Sequence, residues 1–356
     1  MYHMRLRGLH RDMGFKIGKA LQAGGQNLYA LSELDDFQRE FGLASQKILF
    51  ERFPAVREEI CGAAEAMRFP AERLAAWLMT MGCCYDVRGC TAFAFRNGGK
   101  VYFGRNNDLP PFLKKLSCSA LYQPTDTGYK FLLNTSSFIN GEEGVNERGF
   151  ACAMTFVPPN PNEIRPGFNS MFIVRYLLES AECVSEALSL LMDLPVASAC
   201  NILLADASGE LAACECCSTQ LNIDNNREFV YITNEFLSAD MKRHSSVEHG
   251  PYFSSERAAT CERAFRGRRG EPLEFAKNLL AGKFGFLCAY PKSCGFDTIW
   301  SSVFCLGDKR ILRAEGNPSR TAFREDGRAK FLFGQRERAG RNFPPGPLTP
   351  LSDILF

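Results

Sequence analysis

The chain has 356 residues, of which 46% are hydrophobic, and it carries 42 basic against 40 acidic side chains. This length suffices for a large core, and the near-neutral balance gives no support to nucleic-acid binding or to a polybasic membrane patch. The 15 cysteines lack regular spacing, which argues against a secreted disulfide framework and favours a reducing compartment. No apolar run has the length of a signal peptide or a membrane span, so we expect a soluble cytoplasmic protein.

The first 89 residues predict mainly helices. Apolar residues recur at helical spacing over residues 14–23, 37–53 and 71–81, and the last of these segments opens just after Pro70. No convincing alternating strand precedes Cys90. We therefore interpret residues 1–89 as a helical N-terminal region.

From Cys90 onward, short apolar runs alternate with turn residues. Residues 91–96 and 100–105 are joined by Asn97-Gly98-Gly99, a strong hairpin signal because Asn and Gly tolerate the positive φ of such turns. Further strands are predicted at 120–122, 130–134, 150–156, 201–206, 211–215, 229–233, 301–306 and 310–314. Helices are predicted over 170–192 with a break near Cys183, over 256–265 and over 272–281.

This order of elements predicts an α+β fold. Hairpins imply antiparallel sheets, and amphipathic helices need a sheet face to cover. Two sheets packed face to face with helices outside satisfy both requirements. We expect residues 90–322 to form the main domain and residues 323–356, rich in Gly, Pro and Arg, to form an extended tail.

The junction between Gly89 and Cys90 is the main candidate for chemistry. If this peptide bond breaks, Cys90 carries both a thiol and a free α-amine, whose pKa of about 8 lets it act as general base for the thiol. No histidine is then required, and the chain has only four. Gly89, without a Cβ, lets the thiol approach its carbonyl. A buried structural cysteine is otherwise the commoner interpretation.

The predicted hairpin brings two charged residues back beside Cys90. Its return strand continues into Arg105 and Asp108. Arg105 would favour the thiolate by its charge, and Asp108 would hold and orient the α-amine. The alternative is an exposed ion pair at a strand end, worth about 0–1 kcal/mol and without function.

These residues resemble a known family. The motifs that carry the resemblance are Gly89-Cys90-Thr91, Gly104-Arg105-Asn106-Asn107-Asp108, Gly144-Val145-Asn146-Glu147-Arg148-Gly149, residues 201–209 (NILLADASG), Thr233-Asn234, residues 254–257 (S-x-x-R) and residues 10–18 (HRDMGFKIG). In this order they resemble the cysteine N-terminal nucleophile (Ntn) hydrolases, nearest the acyl-CoA:isopenicillin N or 6-aminopenicillanic acid acyltransferase-like group. Choloylglycine (bile salt) hydrolases and acid ceramidase are relatives of similar pattern.

The resemblance implies a four-layer αββα sandwich preceded by a pro-region, residues 1–89, which becomes the small chain after self-cleavage. Cys90 would be the nucleophile, tuned and positioned by Arg105 and Asp108. It further implies that Asn234 donates a hydrogen bond to the oxyanion and that Arg257 supports the site.

One departure concerns the oxyanion hole. In bile salt hydrolases a second asparagine follows the G-x-N-E-x-G turn, and by that spacing Thr155 stands there in this chain. This lowers the case for bile-salt activity, as does the long leader. Thr155 and Phe156 remain candidates for substrate binding, since the apolar segment 150–157 favours a pocket for an acyl or aromatic group. A Phe-rich core explains that segment equally well.

We therefore predict a self-processing amidohydrolase that acts on linear amide bonds through an acyl-enzyme. The alternative is an acyltransferase that moves an acyl group from a thioester or amide to an amine such as a penicillin nucleus. A non-catalytic scaffold ranks lower. The expected partner is a small acyl-amide, or acyl-CoA for transfer, the two fragments should stay associated, and neither a cofactor nor a metal is expected.

Two other types of site were weighed. A papain-like site would need a histidine beside the cysteine, and the candidates, His244 and His249, share a polar loop. A zinc site is conceivable at Cys214-x-Cys216-Cys217, yet no second ligand pair with suitable spacing follows. Buried thiols are the preferred interpretation of these cysteines.

Overall fold

The computed structural model describes residues 1–24, 33–84, 89–225, 227–246, 253–288 and 290–334. The α-helices are α1 His10–Ala23, α2 Asp36–Arg52, α3 Pro54–Met67, α4 Ala71–Thr80, α5 Ser170–Ser180, α6 Val184–Asp193, α7 Ala239–Lys242, α8 Ser254–Arg266, α9 Pro272–Leu280 and α10 Ala329–Phe333. No helix in these ranges is both long and apolar enough to cross a membrane.

The strands form two sheets. Their bounds are β1 Tyr2–Gly8, β2 Gly89–Asn97, β3 Lys100–Leu109, β4 Cys118–Pro124, β5 Phe131–Thr135, β6 Glu143–Asn146, β7 Ala151–Phe156, β8 Cys200–Ala205, β9 Leu211–Cys216, β10 Leu221–Asp224, β11 Phe229–Ile232, β12 Asp297–Cys305, β13 Arg310–Ala314 and β14 Arg324–Glu325. An eight-stranded sheet runs β1-β4-β5-β6-β7-β8-β9-β10, and a six-stranded sheet runs β11-β2-β3-β12-β13-β14.

The two sheets stack between helical layers. One core lies between the sheets and is built from both, for example from Phe103 and Phe304 of one sheet and Leu203 of the other. A second core joins the larger sheet to α1–α6, and a third joins the smaller sheet to α8 and α9. The predicted αββα sandwich is confirmed.

The hairpin of β2 and β3 forms as predicted. Its two-residue loop places Gly98 at φ 57° and Gly99 at φ 75°, a conformation that glycine adopts without strain. The ladder pairs Gly89 with Asp108 and Cys90 with Asn107. Because side chains alternate along a strand, Cys90 shares its face with Ala92 and Ala94, which lie between the sheets.

The N-terminal region before Cys90, here called the leader, packs against the larger sheet through close helix contacts and a buried polar cluster. Helices α1 and α3 approach so closely that a Cβ on Gly14 would lie 1.9 Å from the Glu59 carbonyl oxygen. Glu59 also pairs with Arg175 of α5 at 2.6 Å, and His10 contacts Glu179 of α5 at 2.5 Å. These groups are almost fully buried, so the leader is part of the core.

Two expectations require correction. A strand, β1, does precede Cys90, and it pairs in parallel with β4. Of its seven residues only Leu6 is buried, with Met4 and Gly8 half-buried, so at this sheet edge the alternation that marks a strand is short and weak. The extended tail expected from Phe323 begins instead with β14 and α10, whose Leu332 is buried in the core between the sheets. Residues 335–356 lie outside the described residues.

The predicted break in the long helical segment is confirmed. Helix α5 ends at Ser180 and α6 begins at Val184, with Cys183 as its N-cap.

Candidate active site

Cys90 lies fully buried between the sheets, on the face that its strand turns toward β7. Its Sγ receives a hydrogen bond from Nη2 of Arg105 at 3.0 Å, and its thiol donates to Oδ1 of Asn107 at 3.4 Å. Both partners lie on β3. Asn107 is directly opposite Cys90 in the ladder, and Arg105 lies two residues away on the same strand. The strand geometry therefore aims a cation and an amide at the same sulfur.

Arg105 is held in place by buried acceptors. Its Nη1 donates to Glu143 at 3.1 Å, its Nη2 donates to the Met154 carbonyl at 3.2 Å, and a Glu142 oxygen lies 3.9 Å away. Burial disfavours the charged guanidinium, but the Cys90 sulfur and the two glutamates outweigh burial and hold the pKa of Arg105 above its ordinary value. The guanidinium thus stays charged beside Sγ, where it favours the thiolate.

Asp108 lies on the opposite face of β3, beside the predicted scissile bond. Its carboxylate accepts hydrogen bonds from Thr298 at 2.5 Å and Tyr290 at 2.8 Å. Burial raises the pKa of Asp108 to about 6, although Arg257, these hydrogen bonds and Arg105 oppose the shift. Gly89 is the ladder partner of Asp108, and the role of Asp108 in holding an amine at residue 90 remains a prediction.

Gly89 is packed tightly against this carboxylate. A Cβ at residue 89 would lie 3.1 Å from the Asp108 Cβ and 3.2 Å from the Tyr290 hydroxyl. Such distances are shorter than ordinary van der Waals contact. A side chain at residue 89 would therefore displace the groups that surround the peptide bond.

Asn234 binds the backbone of the nucleophile. Its Oδ1 accepts from the Cys90 backbone N–H at 2.9 Å and from Nη2 of Arg257 at 2.6 Å, while its Nδ2 donates to the Phe156 carbonyl at 2.8 Å. These partners fix which end of the amide is the oxygen. In this uncleaved chain Asn234 presents an acceptor to Cys90, whereas the expected oxyanion role uses its nitrogen.

Arg257, from α8, links the backbone of Cys90 to the hydroxyl beside it. Its Nη1 donates to the Cys90 carbonyl oxygen and, at 2.9 Å, to the Thr91 hydroxyl. The side chain is fully buried. The structure therefore places Arg257 beside Cys90, and its role in supporting the site remains a prediction.

Thr155 and Phe156 lie behind Asn234. The Thr155 hydroxyl donates to the Thr233 carbonyl at 2.5 Å and accepts from Asn201 at 3.2 Å, so it fixes the segment that carries Asn234. The Phe156 ring packs in the core beneath the helices, and its carbonyl oxygen binds Asn234. The roles of Thr155 and Phe156 in substrate binding remain predictions.

Several residues of this site were not predicted. Glu142 and Glu143 flank Arg105, and the adjacent acidic residues at the start of a buried strand were a usable signal. Asn107 stood within the Arg105–Asp108 motif but received no role. Tyr290 gave no sequence signal, because only the fold brings residue 290 to Asp108.

The alternative sites are placed as follows. His244 contacts Glu163 at 2.7 Å and Gln220 at 3.1 Å, while His249 lies outside the described residues. Cys214 and Cys216 belong to the core beneath the helices. Potential metal-ligand atoms of Cys217, Glu163 and His244 lie within 4.8 Å of one another. These atom types could bind a metal, but the histidine and glutamate also form an ordinary hydrogen-bonded pair.

Comparison with protein-family models decides the family. The model of the acyl-coenzyme A:6-aminopenicillanic acid acyl-transferase family matches residues 95–320, which is more than half of the chain. The chain belongs to this family. The resemblance to the acyltransferase-like group stated from the motifs is confirmed. The match begins five residues after Cys90, so it does not include the predicted nucleophile, whose role stays a prediction.

Solved structures resemble the chain only distantly. Penicillin V acylase from Agrobacterium tumefaciens is 17% identical over 64% of this chain and 83% of its own, with a TM-score of 0.43. The N-acylethanolamine-hydrolyzing acid amidase ortholog of Caenorhabditis elegans is 16% identical over 61% and 93%, with a TM-score of 0.46. A mutant of the conjugated bile acid hydrolase from Clostridium perfringens is 13% identical over 73% and 100%, with a TM-score of 0.45. No curated protein sequence matches significantly.

Proposed function

We propose that this member of the acyl-transferase family cleaves its own chain between Gly89 and Cys90, and then hydrolyses linear C–N amide bonds through an acyl–Cys90 intermediate. One observation carries the proposal. The thiol of Cys90 faces Arg105 at 3.0 Å, while the backbone N–H of the same residue is bound by Asn234 at 2.9 Å. Both groups that an N-terminal nucleophile uses are thus already held by buried partners.

Self-cleavage is an intramolecular step. The Cys90 sulfur attacks the Gly89 carbonyl carbon, the C–S bond forms, the C–N bond breaks, and the thiol proton passes to the departing nitrogen. Water then hydrolyses the thioester to the Gly89 carboxylate and the free thiol. An intramolecular attack needs no access from solvent, which agrees with the complete burial of Cys90 in the intact chain.

Cleavage would change the charge around the thiol. Before it, the buried cations Arg105 and Arg257 face the buried carboxylates Asp108, Glu142 and Glu143. A new α-ammonium on Cys90 adds one positive charge and the new Gly89 carboxylate one negative charge, and Asn234 Oδ1 and Asp108 would accept the hydrogen bonds of the ammonium. Losing that proton, the amine becomes a general base for the thiol of its own residue.

Turnover follows the same chemistry on an external amide. The thiolate attacks the acyl carbon, the C–N bond breaks, and the leaving amine takes a proton from the α-ammonium. Water attacks the thioester in the second half, and releases the carboxylic acid and the thiol. Transition-state charge on the acyl oxygen must be met by hydrogen-bond donors.

Acyl transfer is the second candidate, and the description of the matched family favours it. In that reaction an amine replaces water in the second half, and a thioester such as acyl-CoA would serve as the acyl donor. Both reactions share the acyl–Cys90 intermediate, so the ratio of hydrolysis to transfer depends on which acceptor, water or an amine, attacks it.

The fragments made by cleavage would stay together. The Glu59–Arg175 and His10–Glu179 contacts join the leader to α5 without exposure to solvent, and leader residues such as Met13 and Leu49 are part of the core of the larger sheet. Separating the fragments would expose both. Separation returns the charged groups to water, which offsets much of the lost pairing, so the exposure of the apolar residues is what opposes it.

A trapping experiment tests the proposal. Purified protein is incubated with N-acyl amines or penicillins, quenched in acid and digested. The mass of the peptide that begins at Cys90 is then measured by mass spectrometry. We expect an acyl adduct on Cys90 and free carboxylic acid in solution, with an added amine diverting product to a new amide if transfer operates. Cys90→Ala should lose both products and Cys61→Ala neither. Turnover that survives Cys90→Ala would refute the proposal.

A further inference from the structure

Asn107 is the second hydrogen-bond partner of the Cys90 sulfur. It lies directly across the ladder from Cys90 and is fully buried. Its Oδ1 accepts from the thiol at 3.4 Å, while its Nδ2 has no hydrogen-bond partner among the described residues. Buried amide nitrogens are rarely left unpaired, because the hydration they lose on burial is then not replaced.

Because its nitrogen has no partner among the described residues, the Asn107 amide would break no hydrogen bond at Nδ2 if it turned over. Asn234, by contrast, is fixed at both ends by Cys90, Arg257 and Phe156. An amide offers an acceptor at one end and donors at the other. If the Asn107 amide rotates by half a turn, the group facing Sγ changes from a carbonyl oxygen to an N–H.

These two orientations match the two protonation states of the nucleophile. A thiol has a proton to donate and is suited by Oδ1, as observed. A thiolate has no proton and is suited by an N–H donor. Arg105 donates to Sγ and has no acceptor, so it cannot receive the thiol proton in either state.

We propose that Asn107 is a positioning residue for the nucleophile, which holds the Cys90 thiol through Oδ1 and, after the amide turns, donates from Nδ2 to the thiolate. The inference deepens the proposed function and rests on Cys90 being the nucleophile. On this proposal, Nδ2 of Asn107 is unpaired beside the thiol because it donates a hydrogen bond only to the thiolate.

The test compares Asn107→Leu with Asn106→Leu. Asn106 is also a buried asparagine of β3, but it lies on the other face, where it donates to the Leu280 carbonyl and accepts from Ser301. For each protein, the rate of Cys90 alkylation by a small thiol reagent is followed by peptide mass spectrometry across pH, together with the urea midpoint of unfolding.

We expect Asn107→Leu to lower the alkylation rate near neutral pH by about ten- to a hundredfold, the range of a hydrogen bond to a charged group, and to move the pH–rate profile upward. Its urea midpoint should equal or exceed that of the unmodified chain, because an unpaired polar group is removed. Asn106→Leu should do the reverse, with a lower urea midpoint and an unmoved pH profile.

The outcomes separate the two claims. An unmoved pH profile in Asn107→Leu would overturn the role of Asn107, even if the chain cleaves itself normally. A wild-type chain that stays intact would overturn the self-cleavage proposal, while the alkylation profile still measures the effect of Asn107 on the sulfur. If Asn107→Leu does not fold, Asn107→Asp retains the shape, and the inference then requires slower alkylation at neutral pH than in the wild-type chain.

Discussion

Substitution of Gly89 by alanine perturbs the predicted cleavage point with a single methyl group. The new Cβ would meet the Asp108 Cβ at 3.1 Å and the Tyr290 hydroxyl at 3.2 Å. Ordinary contacts lie near 3.5–4.0 Å, so the strand or its neighbours must give way by about 0.3–0.5 Å. Misplacement by 1 Å can cost about a hundredfold in rate, and this smaller shift predicts about a four- to tenfold slower self-cleavage.

The assay follows the intact chain and its fragments by denaturing gel after synthesis in a cell-free system. Gly327→Ala is the matched control, because a Cβ there would meet nothing within 4 Å. Folding should survive Gly89→Ala, since Gly→Ala changes in a compatible backbone are neutral or slightly stabilising. Cleavage of Gly89→Ala at the wild-type rate would show that the packing of Gly89 against Asp108 has no part in the reaction.

Three further predictions follow. Asn234→Ala should retain folding but lose turnover by about 10²–10³-fold if it contributes an oxyanion donor, and unchanged kcat would reject that role. The pKa of Asp108, about 6 against an ordinary 3.8, predicts that cleavage and turnover rise as pH increases through 6, and Tyr290→Phe should move that rise to higher pH. Although burial opposes it, Glu179 raises the pKa of His10 to about 9. The contact between protonated His10 and Glu179 therefore stabilises the fragment interface fully below pH 6.5, and this contribution is lost as pH rises through 9. Size-exclusion chromatography should therefore show weaker fragment association at pH 10 than at pH 7, but no such difference in His10→Leu.

Local sequence signals predicted the part of the site that one hairpin contains. Gly98 and Gly99 fix the turn, and a regular ladder then determines which residues of β3 face Cys90. Arg105 could be placed beside the thiol for this reason. The same alternation puts Asp108 on the opposite face, a consequence that was not drawn from the sequence.

The remaining contacts depend on tertiary structure. Glu143 reaches Arg105 from the other sheet, and Tyr290 reaches Asp108 from a loop 182 positions away. Nothing local in either segment specifies such a partner. The resemblance did place Asn234 at the site, but only the hydrogen bonds of its two amide ends determine which end faces Cys90.

Strand β1 was missed for a different reason. It lies at the edge of its sheet, where solvent replaces one neighbour, and Leu6, its one buried residue, stands between Arg5 and Arg7. Its hydrogen bonds to β4, and not the burial of one face, hold it in the extended conformation of a strand. Edge strands with charged side chains are common because they resist pairing with other chains.

The intact mass of the purified protein tests the central claim most directly. The account predicts two species, of about one quarter and three quarters of the 39.8 kDa chain, with the heavier one beginning at Cys90, and a single full-length species for Cys90→Ala. A wild-type protein that remains one chain of full mass, or a new N-terminus at any other residue, would contradict it.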